Sequence, residues 1–296
     1  FDATTGKSDI SVTGILENFY GFIFRNQELK GNFFMNSKQL AVDDFMTKGD
    51  DSKADGKKTD AMKIPAFLNC SLTAKANTVL YDNLTLRDVS GKLIVKDEKV
   101  TLENVKTSIF GGTIGVNGAV STKGKVPVFD MDLKSNQVDI AQSFTQLDML
   151  KKIAPIAGIV NGKLNSTIKL NGNLTESMSP DLKTLTGDLL GQLLSTTVNS
   201  ANSTLLTAVA SNIKFIDVSK INLNDIKAAI TFKDGKVNVK PFDIKYKDIK
   251  ATISGTHGFD QSMNYSLKFD VPAKYLGSEA NELIAKLSPA DAVKLE

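Results

Sequence analysis

Residues 84–120 return at 221–257 without an insertion, at a constant offset of 137. Leu84, Leu86, Asp88, Val89, Leu93 and Val95 fall on Ile221, Leu223, Asp225, Ile226, Ile230 and Phe232. The match continues through Lys96-Asp97, Lys99-Val100, Leu102, Val105, Val116 and Gly118. Their counterparts are Lys233-Asp234, Lys236-Val237, Val239, Phe242, Ile253 and Gly255. A repeated strand-rich unit must cover the open edge of its neighbour, so this pattern predicts an extended sheet. Function in such a chain is expected along a surface before any point-like site.

Within the repeat, Gly91, Leu93 and Val95 share one strand face, while Lys92, Ile94 and Lys96 point the other way. Lys96-Asp97-Glu98-Lys99 turns the chain, and Val100 and Leu102 open the return strand. The second copy turns at Lys233-Asp234-Gly235-Lys236, where Asp-Gly tolerates the positive φ of a tight hairpin. Phe242, Ile244 and Tyr246 then alternate with Asp243, Lys245 and Lys247. Ile249, Ala251 and Ile253 alternate with Lys250, Thr252 and Ser254. One face is apolar and the other polar, as in an antiparallel meander with one solvated face. The predicted fold is mainly β: an elongated, curved antiparallel sheet or groove of repeated strand units, with a few short capping helices.

A second element recurs as Val12-Thr13-Gly14, Val116-Asn117-Gly118, Leu170-Asn171-Gly172 and Ile253-Ser254-Gly255. Glycine there permits a bend or the close approach of another backbone. Ser37-Lys38-Gln39-Leu40 is echoed by Ser135-Asn136-Gln137-Val138, so residues 1–48 read as the tail of a preceding β unit. Residues 49–63 are polar and aperiodic, a loop or linker. A β-repeat region follows over 64–290, with units at about 78–145 and 215–275, and 291–296 is a tail. Apolar residues at helical spacing predict helices over 139–152 (Ile140, Phe144, Leu147, Leu150) and 202–213. A third is expected around Leu276, Leu283, Ile284 and Leu287. These helices are read as caps on the sheet.

Catalytic chemistry has little to build on. His257 is the only histidine and Cys70 the only cysteine, 187 positions apart. A nucleophile–histidine pair would need His257, whose neighbours carry no supporting pattern, and a zinc site would have only these two residues. Gly111-Gly112-Thr113-Ile114-Gly115 lacks a phosphate-loop lysine, and no calcium loop occurs. No metal, cofactor or enzymatic activity is therefore expected. Of 36 basic residues only Arg25 and Arg87 are arginine, and the lysines are dispersed, which argues against nucleic acid. No run reaches the roughly 20 apolar residues of a membrane span. The chain opens at Phe1, within a repeat, as a piece of a longer or processed product would.

Leu84-Thr-Leu-Arg-Asp-Val-Ser-Gly-Lys-Leu93, Phe110-Gly-Gly-Thr-Ile-Gly-Val-Asn-Gly118, the run Gly158–Gly172 and Leu185-Thr-Gly-Asp-Leu-Leu-Gly191 resemble the C-terminal region of the AsmA-like family. The order of these pieces over residues 64–290 carries the resemblance. That family is related to TamB and to bridge-like lipid transfer proteins. The resemblance implies an elongated β-sheet with an apolar concave face and no catalytic residues. It also implies an inner-membrane-anchored protein of the Gram-negative periplasm, acting in phospholipid movement and outer-membrane integrity. Its partners would be phospholipid or other acyl-chain lipid, the membrane through a segment this chain lacks, and envelope proteins.

The expected lining is Leu93, Val95, Val100, Leu102, Ile230, Phe232, Val237, Val239, Phe242, Ile244, Tyr246, Ile249 and Ile253. The same residues would equally form the core of a closed sandwich, as in a structural or adhesive repeat protein of the envelope. A membrane-embedded barrel fits less well, because the chain has no Trp and five Tyr.

Overall fold

A computed structural model describes residues 1–44, 63–147, 150, 160–176, 178–198, 217, 220–260, 262–275 and 277. The helical stretch expected over 202–213, the C-terminal helix and nearly all of the polar loop lie outside the described residues. The strands are β1 (Asp2–Thr5), β2 (Ser8–Glu17), β3 (Leu29–Ala41), β4 (Leu68–Tyr81), β5 (Leu84–Lys96), β6 (Lys99–Ile109) and β7 (Gly112–Ser121). They continue as β8 (Val128–Asp139), β9 (Val160–Asn173), β10 (Thr186–Val198), β11 (Lys227–Lys233), β12 (Lys236–Tyr246), β13 (Ile249–Gly258) and β14 (Met263–Asp270). Among the described residues they form one 14-stranded sheet whose hydrogen-bonding order is the chain order. The mainly β, mostly antiparallel sheet expected from the repeat is what the chain builds.

The chain divides into two compact units. The first comprises Phe1–Val138, Ser166–Leu189 and Lys233–Gly235. Here β3 and β4 run parallel, unlike the meander expected from the repeat. A parallel pair needs a crossover of a dozen or more residues, and residues 42–67, which contain the polar stretch, supply that length.

The repeat extends to the irregularities of the backbone. Asp88, Asp97, Glu98 and Phe110 have φ of 51°, 53°, 57° and 52°. At the same offset Asp225, Asp234, Gly235 and Lys247 have 61°, 52°, 70° and 55°. Both hairpin turns therefore place two successive residues in the left-handed region, the geometry that matches strand twist. Between β6 and β7 the register slips by one between Leu102 and Val105, and between β12 and β13 it slips at the equivalent Val239 and Phe242. The apolar-polar-Gly triplets also acquire a reason. Gly14, Gly118 and Gly255 stand opposite Phe33, Met131 and Tyr265. A Cβ at Gly118 would lie 2.4 Å from the Asp130 carbonyl oxygen, and one at Gly255 2.5 Å from that of Asn264.

The second unit comprises Asp139–Asn165, Leu190–Phe232 and Lys236–Glu296. Its helix α2 (Ile140–Gln146) starts where the periodicity predicts, Leu150 is helical as well, and residues 148, 149, 151 and 152 of the expected 139–152 lie outside the described residues. The Asp139 carboxylate caps it, accepting from the Gln142 amide at 2.8 Å. Ile140 joins Val160 and Leu223 in a buried cluster, with Phe144, Leu164 and Ile244 packed against it.

At one end of the first unit two carboxylates tie β2 to β3. Asp9 Oδ1 accepts from the Gln39 and Lys38 amides at 2.7 and 2.9 Å, where the β3–β4 ladder skips Lys38. Asp44 Oδ2 accepts from the Ser8 hydroxyl at 2.6 Å and the Lys7 amide at 2.8 Å. Both groups are held below the ordinary carboxylate value, Asp9 chiefly by the Gln39 amide and Asp44 chiefly by the Ser8 hydroxyl.

Two predictions arise from this backbone. Glu98→Gly should relieve a side chain in the left-handed region and stabilise the protein by about 0.5–1 kcal/mol, whereas Gly235→Ala should destabilise it by about 1 kcal/mol. Urea unfolding midpoints of the two variants report the contrast. The second concerns acid. The folded-state values of Asp9 and Asp44 lie below the unfolded 3.8, so their contribution is complete above that value and disappears as pH falls through the depressed values. The urea midpoint should thus fall below about pH 4, and Asp9→Asn should fall less steeply over the same range.

Candidate functional site

Residues directly opposite each other in neighbouring strands share a face. In the first unit this builds three apolar rows across β2–β8. One runs Leu16, Gly31, Cys70, Val95, Val100, Val120, Phe129. The next runs Gly14, Phe33, Leu72, Leu93, Leu102, Gly118, Met131. The third joins Val12, Met35, Ala74 and Gly91 to Val105, Val116 and Leu133. Gly91 brings the two halves together, since a Cβ there would sit 2.7 Å from the Val105 Cα.

The alternate rows are polar. Lys30, Asn69, Lys96, Lys99 and Ser121 form one, and Asn32, Ser71, Ile94, Thr101 and Ala119 another. Lys92 and Glu103 pair across strands at 4.0 Å.

Apart from Gly31, no residue of the three apolar rows is fully buried. Leu72, Leu93, Val95, Val100, Leu102, Val116, Met131 and Leu133 are all half-buried. Burial becomes complete toward the Asp44 end of the strands, at Ala41, Ala76, Val79, Ile109 and Phe110. The three rows thus keep solvent access, and the fully buried residues toward the Asp44 end lie on both faces, Ala41 and Val79 standing in adjacent rows. An apolar face that keeps solvent access is available for contact with lipid, ligand or protein.

The structure separates the expected lining residues by repeat copy. Leu93, Val95, Val100 and Leu102 lie together on the accessible face of the first unit. In the second unit Phe232 (2% exposed), Val237 (0%), Val239, Tyr246 and Ile249 are buried, while Ile230, Phe242, Ile244 and Ile253 are half-buried. Phe242 pairs with Ile253 and Tyr246 with Ile249 across β12–β13. Tyr246 and Ile249 form a core with Ile221, Phe269, Val271 and Tyr275. Beside that core the Asp248 carboxylate is held below its ordinary value, first by its hydrogen bond from Lys274 and then by that from the Tyr275 hydroxyl. The inventory from sequence omitted Leu72, Cys70, Phe33 and Met131. Their strands lie outside the repeat window, so only the register identifies them.

His257 is buried on β13, with Nδ1 2.9 Å from the Tyr265 hydroxyl and its ring stacked on that of Tyr265. Burial pushes the Tyr265 hydroxyl up. Cys70 is half-buried in the first apolar row, its thiol 3.5 Å from the Leu29 carbonyl. An open depression lined by Asn222, Asn224, Asp225, Lys227, Asp243 and Lys245 is polar and coincides with none of the expected lining. Among the described residues no helix is long and apolar enough to cross a membrane. Comparison of the chain with family models, curated proteins and solved structures finds no match in any of the three.

The two copies should respond differently to a charge. Phe232→Asp places an unpaired carboxylate in a closed core and should cost more than about 4 kcal/mol, most of the stability of a marginal domain, and lower the melting temperature sharply or abolish folding. Leu93→Asp lies on the accessible face and should leave the far-ultraviolet circular dichroism and cooperative melt in place.

Proposed function

We propose that this chain is a non-enzymatic lipid-handling protein of the AsmA-like kind. The apolar face of the first unit shields acyl chains from water. In this reading it works in the periplasm of a Gram-negative cell, supporting phospholipid transport between the inner and outer membranes and outer-membrane assembly. The supporting observation is the set of three apolar rows crossing seven strands, with large side chains that stay half-accessible. A soluble core would bury such side chains for about 1.5–3 kcal/mol each. An acyl chain laid along the rows recovers part of that, at about 0.8 kcal/mol per buried CH₂, without any specific polar contact.

One observation favours the second reading, a structural or adhesive envelope protein with a closed core. Phe232, Val237 and Ile249 of the second unit are nearly inaccessible. That unit supplies stability in either case, and the first unit decides between the readings.

Native mass spectrometry of the purified chain, followed by solvent extraction and lipid analysis, tests the proposal. Phospholipid should accompany the protein at near-stoichiometric or higher levels, and Leu93→Asp/Leu102→Asp should lower it at least several-fold while remaining folded. A lipid-free protein that also takes up no added phospholipid would sink the lipid reading.

A further inference from the structure

We propose that the end of the first unit carrying helix α1 (Phe19–Arg25) docks on an anionic phospholipid bilayer. Its aromatic side chains enter the headgroup layer and its lysines face the lipid phosphates. The register brings four separate segments to this end. β2 leads into α1, which returns into β3, and Leu29 pairs with Leu68 at the start of β4. Asn69 pairs with Lys96 beside the Asp97-Glu98 turn, and Lys99 with Ser121 at the start of the β7–β8 connection. Buried Thr122 ties three of these segments together. Its amide donates to the Glu98 carbonyl at 2.9 Å, and its hydroxyl accepts from the Ile64 amide at 2.9 Å.

The apolar content of this end is unusual for a surface. Helix α1 buries none of its residues, and Tyr20 and Phe24 are 78% and 75% exposed with their rings stacked. Phe19, Ile23 and Phe67 are also exposed, Val126 is exposed in the β7–β8 connection at the same end of the strands, and Phe22 packs on Phe67 at 5.3 Å. Large aromatic and aliphatic groups at strand ends, mixed with lysine, have the composition of a bilayer interface.

Charge supplies the choice of partner. The connecting segments at this end and the strand ends beside them carry Arg25, Lys63, Lys96, Lys99, Lys123, Lys125 and Lys183 against Glu28, Asp97, Glu98, Glu176 and Asp181. The β9–β10 connection joins them through the Leu174 amide, bonded to the Pro127 carbonyl. Glu17 and Lys30 face each other across β2–β3 and cancel. The turns at the opposite strand ends carry Lys7 against Asp43, Asp44 and Asp82, and their exposed large apolar residue is Tyr81. One end of the unit is thus basic and aromatic, and the other acidic. Flexible lysines spread over separate segments suit an array of lipid phosphates. Docking needs no lipid on the sheet face, so this inference stands apart from the acyl-chain reading.

The chain contains no tryptophan, so Tyr20→Trp creates a single emitting reporter at the tip. Its emission should shift to the blue with mixed phosphatidylglycerol–phosphatidylcholine vesicles and stay unchanged with phosphatidylcholine alone. Tyr81→Trp, at the acidic end, should shift with neither. Adding Lys63→Glu, Lys123→Glu and Lys125→Glu to the tip reporter should lower vesicle partitioning at least about tenfold. Circular dichroism confirms that each variant is folded. No shift at the tip, an equal shift with phosphatidylcholine alone, or an equal shift at Tyr81→Trp overturns the proposal. Docking by a protein that carries no phospholipid would support this inference while sinking the acyl-chain reading.

Discussion

Side chains alternate between the faces of a strand, and everything described above depends on that alternation surviving places where the sequence breaks it. In β6 the apolar series steps from Leu102 to Val105, and in β12 from Val239 to Phe242. A step of three would send the second residue to the polar face. The extra residue of a bulge restores the parity, and the register slips at both places. The two copies reach this by different chemistry. Asn104 adopts φ of 51°, and its amide donates to the Asn117 side chain at 2.7 Å. The second copy has Pro241, which has no amide proton to lose from the ladder. Without these bulges the row Val105–Val116–Leu133 would interrupt the apolar face instead of extending it.

The same pattern of apolar residues then leads to two degrees of burial. Val95 of the first copy is half-buried, while its counterpart Phe232 is closed off. Val105 is replaced by Phe242 and Ile109 by Tyr246, so the second copy fills its face with larger rings. Glycine thins out the first unit's face at Gly91, where a side chain would collide with the Val105 backbone and the second copy carries Ala228. The first unit consequently holds together mainly through its ladder and cross-strand pairs, with part of its available hydrophobic stabilisation left unrealised.

How much of this was legible in the sequence follows from how local each feature is. The hairpins were legible because Asp97-Glu98 and Asp234-Gly235 act through adjacent residues. The start of α2 was legible because Asp139 caps a helical period. Helix α1 was not, since Phe19-Tyr20-Gly21-Phe22-Ile23-Phe24 is apolar on every side and has no amphipathic period to betray it. The parallel β3–β4 pairing was hidden for another reason. Its cause is the length of a distant crossover, and alternation in the strands is the same in either direction. Burial was the least legible of all, because Val95 and Phe232 occupy equivalent positions and differ only in what surrounds them.

The polarity of the first unit follows from the direction of its strands. β3 and β4 run parallel, so the segments preceding both strands, α1 and residues 63–67, lie at one end and Asp43-Asp44 at the other. An antiparallel pairing would have put the aromatic helix and Phe67 at opposite ends, dividing the exposed apolar residues between them. The polar crossover thus matters to the proposed function through what it makes adjacent. It places the exposed rings of α1 next to the Leu16–Phe129 end of the accessible rows, and leaves the fully buried residues Ala41, Ala76 and Val79 toward the acidic turns. In the lipid-handling reading, an acyl chain would therefore meet the sheet face first at its basic, aromatic end.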